Sequence, residues 1–195
     1  MRIIGLTGSI GMGKTTMAGF FRAAGIPVHD ADAAVHRLYA GPAAAAVEAA
    51  FPGTAPDGVV DRDRLAEAVL GDSQALKRLE AIVHPLVRDD ERTFLKVAAE
   101  AGAPIAVLEI PLLFETGGDS RCDAVVVVTA RPETQRRRVL KRPGMSDDRL
   151  NVMLARQMPD AEKRRRAHFL IFTDGDLDSA QRQVIAIIRA LAASA

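Results

Sequence analysis

Five short apolar runs, separated by amphipathic segments, organise the chain. They are Ile3–Thr7, Ile26–His29, Pro104–Ile110, Ala124–Thr129 and Phe169–Phe172. The fourth, Ala-Val-Val-Val-Val-Thr, is continuously apolar and β-branched, which is typical of a strand covered on both faces. Because helical patterns lie between the runs, we predict an α/β fold with a five-stranded parallel sheet and right-handed crossovers.

The interval between the second and third runs is far longer than one crossover needs. Its patterns predict helices at Ala43–Ala50, Arg64–Leu70 and Ser73–Lys96, with breakers between Pro52 and Gly58. We therefore predict one domain over residues 1–195 with a helical lobe inserted at about residues 33–102. Such a lobe would flank the crevice at the carboxyl ends of the strands, where α/β proteins bind ligands.

The last predicted helix, Ser179–Ala192, carries a stripe of apolar residues. We expect this stripe to pack on the sheet, and its members are Val184, Ile185, Ile187, Ile188 and Leu191.

The net charge is only +1, but it is unevenly distributed. Residues 131–166, named here the arginine-rich segment, hold 12 basic and 5 acidic residues. Pro143-Gly144 and Pro159 interrupt this segment, which favours a mobile helical lid at about residues 134–162 that meets a polyanion.

The segment from Gly8 to Thr15 satisfies G-x-x-x-x-G-K-[ST], the phosphate-binding P-loop pattern, between a predicted strand and a predicted helix. Glycines allow the backbone N–H groups to turn inward around an anion, and the helix that follows points its positive end at it. Lys14 is predicted to reach the β- and γ-phosphates and Thr15 to ligate Mg²⁺. The predicted contacts with ATP are Gly8, Gly11, Met12, Gly13, Lys14, Thr15 and Thr16.

Carboxylates follow the second and third predicted strands. Asp30 and Asp32 would face the same way if the chain stayed extended, and a carboxylate here can take the proton of an acceptor hydroxyl during phosphoryl transfer. We favour Asp32 as this base, although it could also serve as N-cap of a helix starting near Ala33. Glu109, at the end of the third strand, is a candidate support for Mg²⁺ through water, or else an ordinary charge facing the crevice.

The roles of the other charged residues are less specifically predicted by the sequence. Arg138 and Arg142 lie four positions apart, so on one helix they would share a face and could clamp the nucleotide. Arg136 and Arg137, like Lys163–Arg166, are expected to be surface charges. His36 is a possible neighbour of the acceptor, His84-Pro85 is expected to break a helix, and Glu115 to brace a loop.

Composition excludes several classes of protein. Cys122 is the only cysteine, so an internal disulfide and a multi-cysteine zinc site are excluded. No apolar stretch is long enough for a membrane span, and Met1-Arg2 leads directly into a strand, so we expect no signal peptide and a cytoplasmic location.

The ordered motifs resemble those of the dephospho-coenzyme A kinase family over essentially the whole chain. They are the P-loop, Asp30-Ala31-Asp32, His84-Pro85 and Pro111-Leu112-Leu113-Phe114-Glu115. The resemblance implies a P-loop kinase core, a helical substrate lobe and a lid. It also implies transfer of the γ-phosphate of ATP to the 3′-hydroxyl of dephospho-coenzyme A, with Asp32 as base and a possible substrate role for His84.

The chain departs from the family pattern at two places. Met12 and Thr15 stand where the family usually has Ser in the P-loop. Near the end, Ala167–Thr173 lacks the Asp and the Asn of the usual Ala-Asp-x-x-Ile-x-Asn. The second departure weakens any inference about adenine contacts from this segment.

Three other functions are each compatible with part of the sequence. Another small-molecule kinase, for example one acting on a nucleoside monophosphate, would share this architecture. A regulatory NTPase is disfavoured because no Asp-x-x-Gly occurs, and Asn151, the only asparagine, is not in a guanine-recognition motif. A nucleic-acid binder is disfavoured because the arginine-rich segment has no aromatic residue for stacking bases. We therefore expect a small-molecule substrate, no nucleic acid, no membrane, and a monomer or small homo-oligomer.

Overall fold

In the computed structural model, which describes residues 1–193, five parallel strands form one sheet in the order β2-β3-β1-β4-β5. The strands are β1 (Arg2–Thr7), β2 (Val28–Asp30), β3 (Ile105–Glu109), β4 (Ala124–Thr129) and β5 (Phe169–Phe172). The predicted five-stranded parallel sheet is confirmed. Strand β1 is central, and Leu6 near its end lies opposite Glu109 of β3 and Val126 of β4. The chain segments that follow β1, β3 and β4 therefore start at one edge of the sheet.

The helices connect these strands as the α/β pattern predicts. They are α1 (Lys14–Ala23), α2 (Ala31–Tyr39), α3 (Ala44–Ala50), α4 (Arg62–Val69), α5 (Ser73–Glu100), α6 (Pro132–Leu140), α7 (Asp147–Ala155), α8 (Asp160–Arg166) and α9 (Leu177–Ala193). A short 3₁₀ helix spans Gly118–Arg121. Within residues 1–193, none of these helices combines the length and the apolar character needed to cross a membrane.

The described chain divides into two compact units. Unit 1 contains residues 1–29 together with the chain from Ala98 onwards, and unit 2 contains Asp30–Val97. The core of unit 1 lies between the sheet and helices such as α1 and α9, with Met17, Phe21 and Val184 fully enclosed. Unit 2 has its own apolar core, which is formed mainly by the inward faces of α2 to α5.

The helix α5 corrects one expectation. His84-Pro85 does not break it, because the helix runs through Pro85 from Ser73 to Glu100. Proline removes one backbone hydrogen bond and crowds the preceding turn. In this helix Leu79 and Val83, before the proline, are buried in the core of unit 2, and Leu86 and Val87, after it, pack against the same core. This packing holds the helix together on both sides of the proline.

The apolar stripe predicted for the last helix, α9, is only partly correct. Val184, Ile187 and Leu191 are buried and Ile188 is partly buried, as expected, but Ile185 is exposed. At 3.6 residues per turn, Ile185 lies about 100° around the helix from Val184, which turns it away from the buried stripe.

Candidate active site

The loop after β1 has the backbone conformation of a phosphate cradle. Gly11 and Gly13 have φ values of 78° and 91°, in the left-handed region that L side chains rarely adopt. At Gly8 the limit is space, because a Cβ there would lie 2.5 Å from the Val128 carbonyl oxygen. A Cβ at Gly11 would also lie 2.5 Å from Val139 Cγ2. The glycines of the motif are therefore required by conformation and by close packing.

The side chain of Met12 points into the protein interior. It is 2% exposed, belongs to the core of unit 1, and its Sδ accepts a hydrogen bond from the Ala130 N–H at 3.1 Å. The bulky residue at this position therefore leaves the space in front of the loop open.

The N-terminus of α1 faces the loop. Lys14 and Thr15 are its first residues, so their N–H groups have no acceptor within the helix. The N–H groups of Met12 and Thr16 donate to Ser9 and Gly13 carbonyls at 3.2 and 3.1 Å, which closes the loop on itself. The Thr15 and Thr16 side chains are exposed. This arrangement suits an anion, since the helix dipole adds to the N–H groups.

A charged pair joins the P-loop to β3. Lys14 Nζ lies 2.9 Å from Glu109 Oε1, and Glu109 is 1% exposed. The second carboxylate oxygen, Oε2, is buried without a hydrogen-bond partner among the described residues, and the nearest guanidinium, that of Arg22, is 3.8 Å away. Glu109 is thus a buried carboxylate beside the phosphate cradle with one oxygen available to a further ligand.

In unit 2, the cap of α2 differs from the expectation. The helix begins at Ala31, and Asp30 is its N-cap, with Oδ1 accepting the Ala33 N–H at 2.9 Å. The chain does not stay extended through Asp32, so the expected common orientation of Asp30 and Asp32 is wrong, and so is the alternative of Asp32 as N-cap. Asp32 is an exposed residue in the first turn, and capping does not occupy its carboxylate.

An open cavity of about 880 Å³ lies beside Asp32 within unit 2. Its lining residues are Asp32, Ala33, Val35, His36, Arg37, Ala40 and Arg62. Arg62 Nη1 contacts His36 Nδ1 at 3.3 Å, whereas Arg37 Nη2 is paired with Asp90 at 2.9 Å. The cavity thus combines one carboxylate with two guanidinium groups and an imidazole, which suits an anionic ligand that carries a hydroxyl.

Two neighbouring residues complete the description of unit 2. Burial raises the pKa of the Tyr39 hydroxyl, and the positive charge of Arg62 partly opposes this shift. His84 lies half-buried in the middle of α5 and is not one of the residues that line the cavity. Sequence reasoning singled out His36 but missed Arg62, which follows Asp61 at the start of α4 without any motif to mark it.

The arginine-rich segment holds one guanidinium close to the P-loop. Arg138 Nη1 donates to Thr173 Oγ1 at 2.9 Å, and Thr173 Oγ1 in turn donates to the Met12 carbonyl at 2.9 Å. Arg142 lies beyond the end of α6 at Leu140, so the expected shared helix face of Arg138 and Arg142 is wrong. Arg142 is exposed.

Asp174 lies next to this contact. Burial raises its pKa, but the hydrogen bonds from Arg131 N–H and Thr134 and the charges of Arg131 and Arg138 outweigh burial, so the pKa is lowered from its usual range. Asp174 therefore stays ionised and adds a negative charge beside Arg138.

The base of the arginine-rich segment contains an unexpected buried pair. Lys163 was expected at the surface, but its side chain is 0% exposed and its Nζ lies 2.9 Å from Glu115 Oε1. The same oxygen accepts the Met158 N–H at 2.7 Å. Glu115 therefore braces the base of the arginine-rich segment. The expectation failed because Lys163 stands in a run of basic residues whose other members are exposed.

Replacing Lys163 by methionine should lower the free energy of unfolding by about 3–5 kcal/mol, because Glu115 is left as an uncompensated, largely buried charge. Chemical denaturation measures this loss. The double variant Lys163→Met/Glu115→Gln should recover much of it. The exposed Lys141→Met control should change stability by less than about 0.5 kcal/mol. A single variant as stable as this control would contradict the importance of the pair.

A family model described as dephospho-CoA kinase matches residues 2–179 of the chain. The chain belongs to the dephospho-CoA kinase family. It is 62% identical over 188 residues to a dephospho-CoA kinase of Mesorhizobium japonicum, covering 96% of this chain and 95% of the relative. The dephospho-CoA kinase of Brucella melitensis is 56% identical over 191 residues, covering 98% and 96%.

The fold agrees with solved structures. TT1252 from Thermus thermophilus superposes with a TM-score of 0.85 at 38% identity, covering 97% of each chain. Membership in a kinase family implies ATP as phosphoryl donor, with a small molecule as acceptor. A regulatory NTPase and a nucleic-acid binder are therefore excluded as the main function.

Proposed function

We propose that the chain transfers the γ-phosphate of ATP to the 3′-hydroxyl of dephospho-CoA, which yields coenzyme A in the last step of its synthesis. One observation carries the proposal: a complete phosphate cradle, with Lys14 beside a buried carboxylate, lies in a chain that a dephospho-CoA kinase model matches over residues 2–179.

The P-loop is the proposed donor site. Backbone N–H groups of Gly11, Gly13, Lys14 and Thr15 bind the phosphates of ATP. Gly8 is the first residue of this site, and its lack of a side chain lets the loop start against Val128. Met12 in the loop and Thr16 in the first turn of α1 are the remaining proposed contacts with ATP. Lys14 leaves Glu109 to contact the β- and γ-phosphates, and its charge stabilises the negative charge that moves during transfer.

The residues beside the cradle fit Mg²⁺. The exposed Thr15 hydroxyl would be a direct ligand, and the unpartnered Glu109 Oε2 would accept a hydrogen bond from a water on the ion. Among the described residues no group of three or more His, Cys, Asp or Glu side chains could hold a metal, which is in keeping with an ion bound chiefly through substrate phosphates. When bound, the ion neutralises phosphate charge.

The acceptor side is proposed to lie in unit 2. Asp32 orients the 3′-hydroxyl and takes its proton during in-line transfer, without a covalent intermediate. Asp32 is exposed, is not used as a helix cap and lines the open cavity of unit 2, which supports this role. His36 binds dephospho-CoA in the cavity, and His84 on α5 is proposed as a further contact with this substrate.

The proposed kinase has a substrate lobe and a lid. Residues 33–102 are the substrate lobe and residues 134–162 the lid. Arg138 and Arg142 are the lid arginines that contact ATP, and the hydrogen bond of Arg138 with Thr173 beside Met12 supports the first of them. The protein is proposed to act in the cytoplasm as a monomer or small homo-oligomer.

A coupled ADP-release assay across acceptors tests the proposed function. We expect ADP release with dephospho-CoA far above the background with water, together with a product phosphorylated at the 3′-position. Nucleoside monophosphates should give background rates. If a nucleoside monophosphate released ADP and dephospho-CoA did not, the chain would be a different small-molecule kinase.

Replacing Arg62 by leucine should raise KM for dephospho-CoA about 10-fold or more, because the acceptor's diphosphate loses a charge-assisted hydrogen bond worth about 1.5–3 kcal/mol. KM for ATP should stay unchanged. The matched control is Arg64→Leu on the same helix, since Arg64 pairs with Asp61 at 3.4 Å and does not line the cavity. Equal KM increases in the two variants would remove Arg62 from the acceptor site.

A further inference from the structure

Two glutamines hold the backbone of the P-loop at Ile10. The Ile10 N–H donates to Gln157 Oε1 at 3.1 Å, and the Ile10 carbonyl accepts from Gln135 Nε2 at 2.7 Å. Gln135 lies on α6 and is 7% exposed, while Gln157 lies in the connection between α7 and α8. Both therefore come from the arginine-rich segment, and together they occupy the donor and the acceptor of one loop residue.

The position of Gln157 is set by contacts immediately after it. The Met158 N–H donates to Glu115 Oε1, and Glu115 pairs with the buried Lys163. Two residues beyond Met158, Asp160 Oδ2 accepts the hydroxyl of Thr129, the last residue of β4, at 2.8 Å. The chain after Gln157 is thus held by Glu115, which follows β3, and by Thr129 at the end of β4, while α7 precedes Gln157.

The Ile10 contact affects the groups that bind phosphate. Ile10 precedes Gly11, the first glycine of the loop with a positive φ. An acceptor on the Ile10 N–H fixes the orientation of the Ser9–Ile10 peptide, and through it the direction in which the following N–H groups point. Errors of about 1 Å in such positioning can cost about 10²-fold in rate.

The chemical nature of Gln157 as a hydrogen-bond acceptor is also informative. A carboxylate would accept the Ile10 N–H at least as well as an amide does. It would, however, place a negative charge beside a loop that binds polyphosphate. Glutamine provides an acceptor of the required length without that charge.

We propose that Gln157 is a positioning residue for phosphoryl transfer, which couples the arginine-rich segment to the P-loop through the Ile10 N–H. It touches the loop and not the substrate, so it acts on the rate through the geometry of the cradle. The inference rests on the proposed donor site.

Three variants of the full chain separate positioning from charge. Gln157→Met removes the hydrogen-bond acceptor of the Ile10 N–H, and Gln157→Asn shortens the side chain that carries it. We expect kcat to fall about 10-fold for each variant. Gln157→Glu keeps the hydrogen-bond acceptor but adds a negative charge. The kcat at saturating ATP should therefore stay within about 3-fold of the parent value, while KM for ATP rises about 10-fold. Added salt should weaken that rise, because ions screen the new charge.

Gln183→Met is the matched control. Gln183 also holds one residue by both backbone groups, accepting the Phe172 N–H and donating to the Phe172 carbonyl, each at 2.9 Å, but on the edge strand β5. We expect this variant to lower Tm about as much as Gln157→Met and to leave kcat per folded molecule unchanged. A purely structural role of Gln157 would give both variants the same unchanged kcat, and that result would overturn the inference.

The comparison also distinguishes failure of the inference from failure of the proposed function. Each variant is assayed with the acceptor that the parent chain phosphorylates and, without acceptor, by ATP hydrolysis. A parent that is inactive towards dephospho-CoA contradicts the proposed function, while the ratio of variant to parent still decides the role of Gln157. Unchanged ratios for Gln157→Met in both assays would refute that role.

Discussion

Replacing Asp32 by asparagine should lower kcat with dephospho-CoA by about 10²–10⁴-fold, because the 3′-hydroxyl loses the group that takes its proton. The binding of ATP should be nearly unchanged, since Asp32 belongs to unit 2 and is no part of the P-loop. Steady-state kinetics and calorimetric titration with ATP measure the two quantities. Stability should change by less than about 0.5 kcal/mol, because Asp32 is exposed and caps no helix.

Asp30→Asn is the matched control for this prediction. Asparagine caps helices about as well as aspartate does, so α2 should keep its N-cap, and the variant removes one carboxylate at the neighbouring position. Turnover should stay close to that of the parent chain. Near-normal turnover of Asp32→Asn, or an equal loss in Asp30→Asn, would remove Asp32 from the role of base.

Replacing Lys14 by methionine should lower kcat by about 10²–10³-fold and raise KM for ATP, because a charge aimed at the transferred phosphate is lost. The variant should also be less stable. Glu109 would remain as a buried carboxylate with Arg22 as its nearest cation at 3.8 Å, and an unpaired buried charge costs about 3–5 kcal/mol. Kinetics and Tm should therefore be measured on the same samples.

The double variant Lys14→Met/Glu109→Gln separates the two effects. It removes the buried charge together with its partner, so Tm should recover while kcat stays low. Lys141→Met makes the same chemical change at an exposed position and should leave kcat intact. Recovery of kcat along with Tm in the double variant would mean that Lys14 matters for folding and not for transfer.

Both residues that depart from the family pattern near the end of the chain form hydrogen bonds across the fold. His168 stands where the pattern usually has Asp, and its Nδ1 accepts the Val125 N–H at 3.1 Å near the start of β4. Thr173 stands where the pattern usually has Asn, and its hydroxyl joins Arg138 to the Met12 carbonyl. In both cases the side chain forms hydrogen bonds with groups distant in sequence, which no local pattern can reveal.

Several residues behave differently in the fold from what their sequence neighbours indicate. Lys163 stands among exposed arginines, yet it lies on the inward face of its helix and contacts Glu115. Pro85 predicts a break, yet packing of its helix in the core of unit 2 maintains the helix. Gln135 and Gln157 belong to no recognised motif, and their importance depends on the backbone groups that they reach.

The sequence by itself determined the parallel sheet, the P-loop and the family. These features depend on short-range chemistry. Continuous β-branched runs are typical of strands that are buried on both faces, and glycines permit positive φ. The Lys-Thr pair of the P-loop pattern follows at the start of a helix. The tertiary structure alone decided that Lys14 pairs with Glu109, that Asp30 and not Asp32 caps α2, and that two glutamines hold Ile10. The reason is physical, since burial and hydrogen-bond partners arise only when segments distant along the chain are brought together.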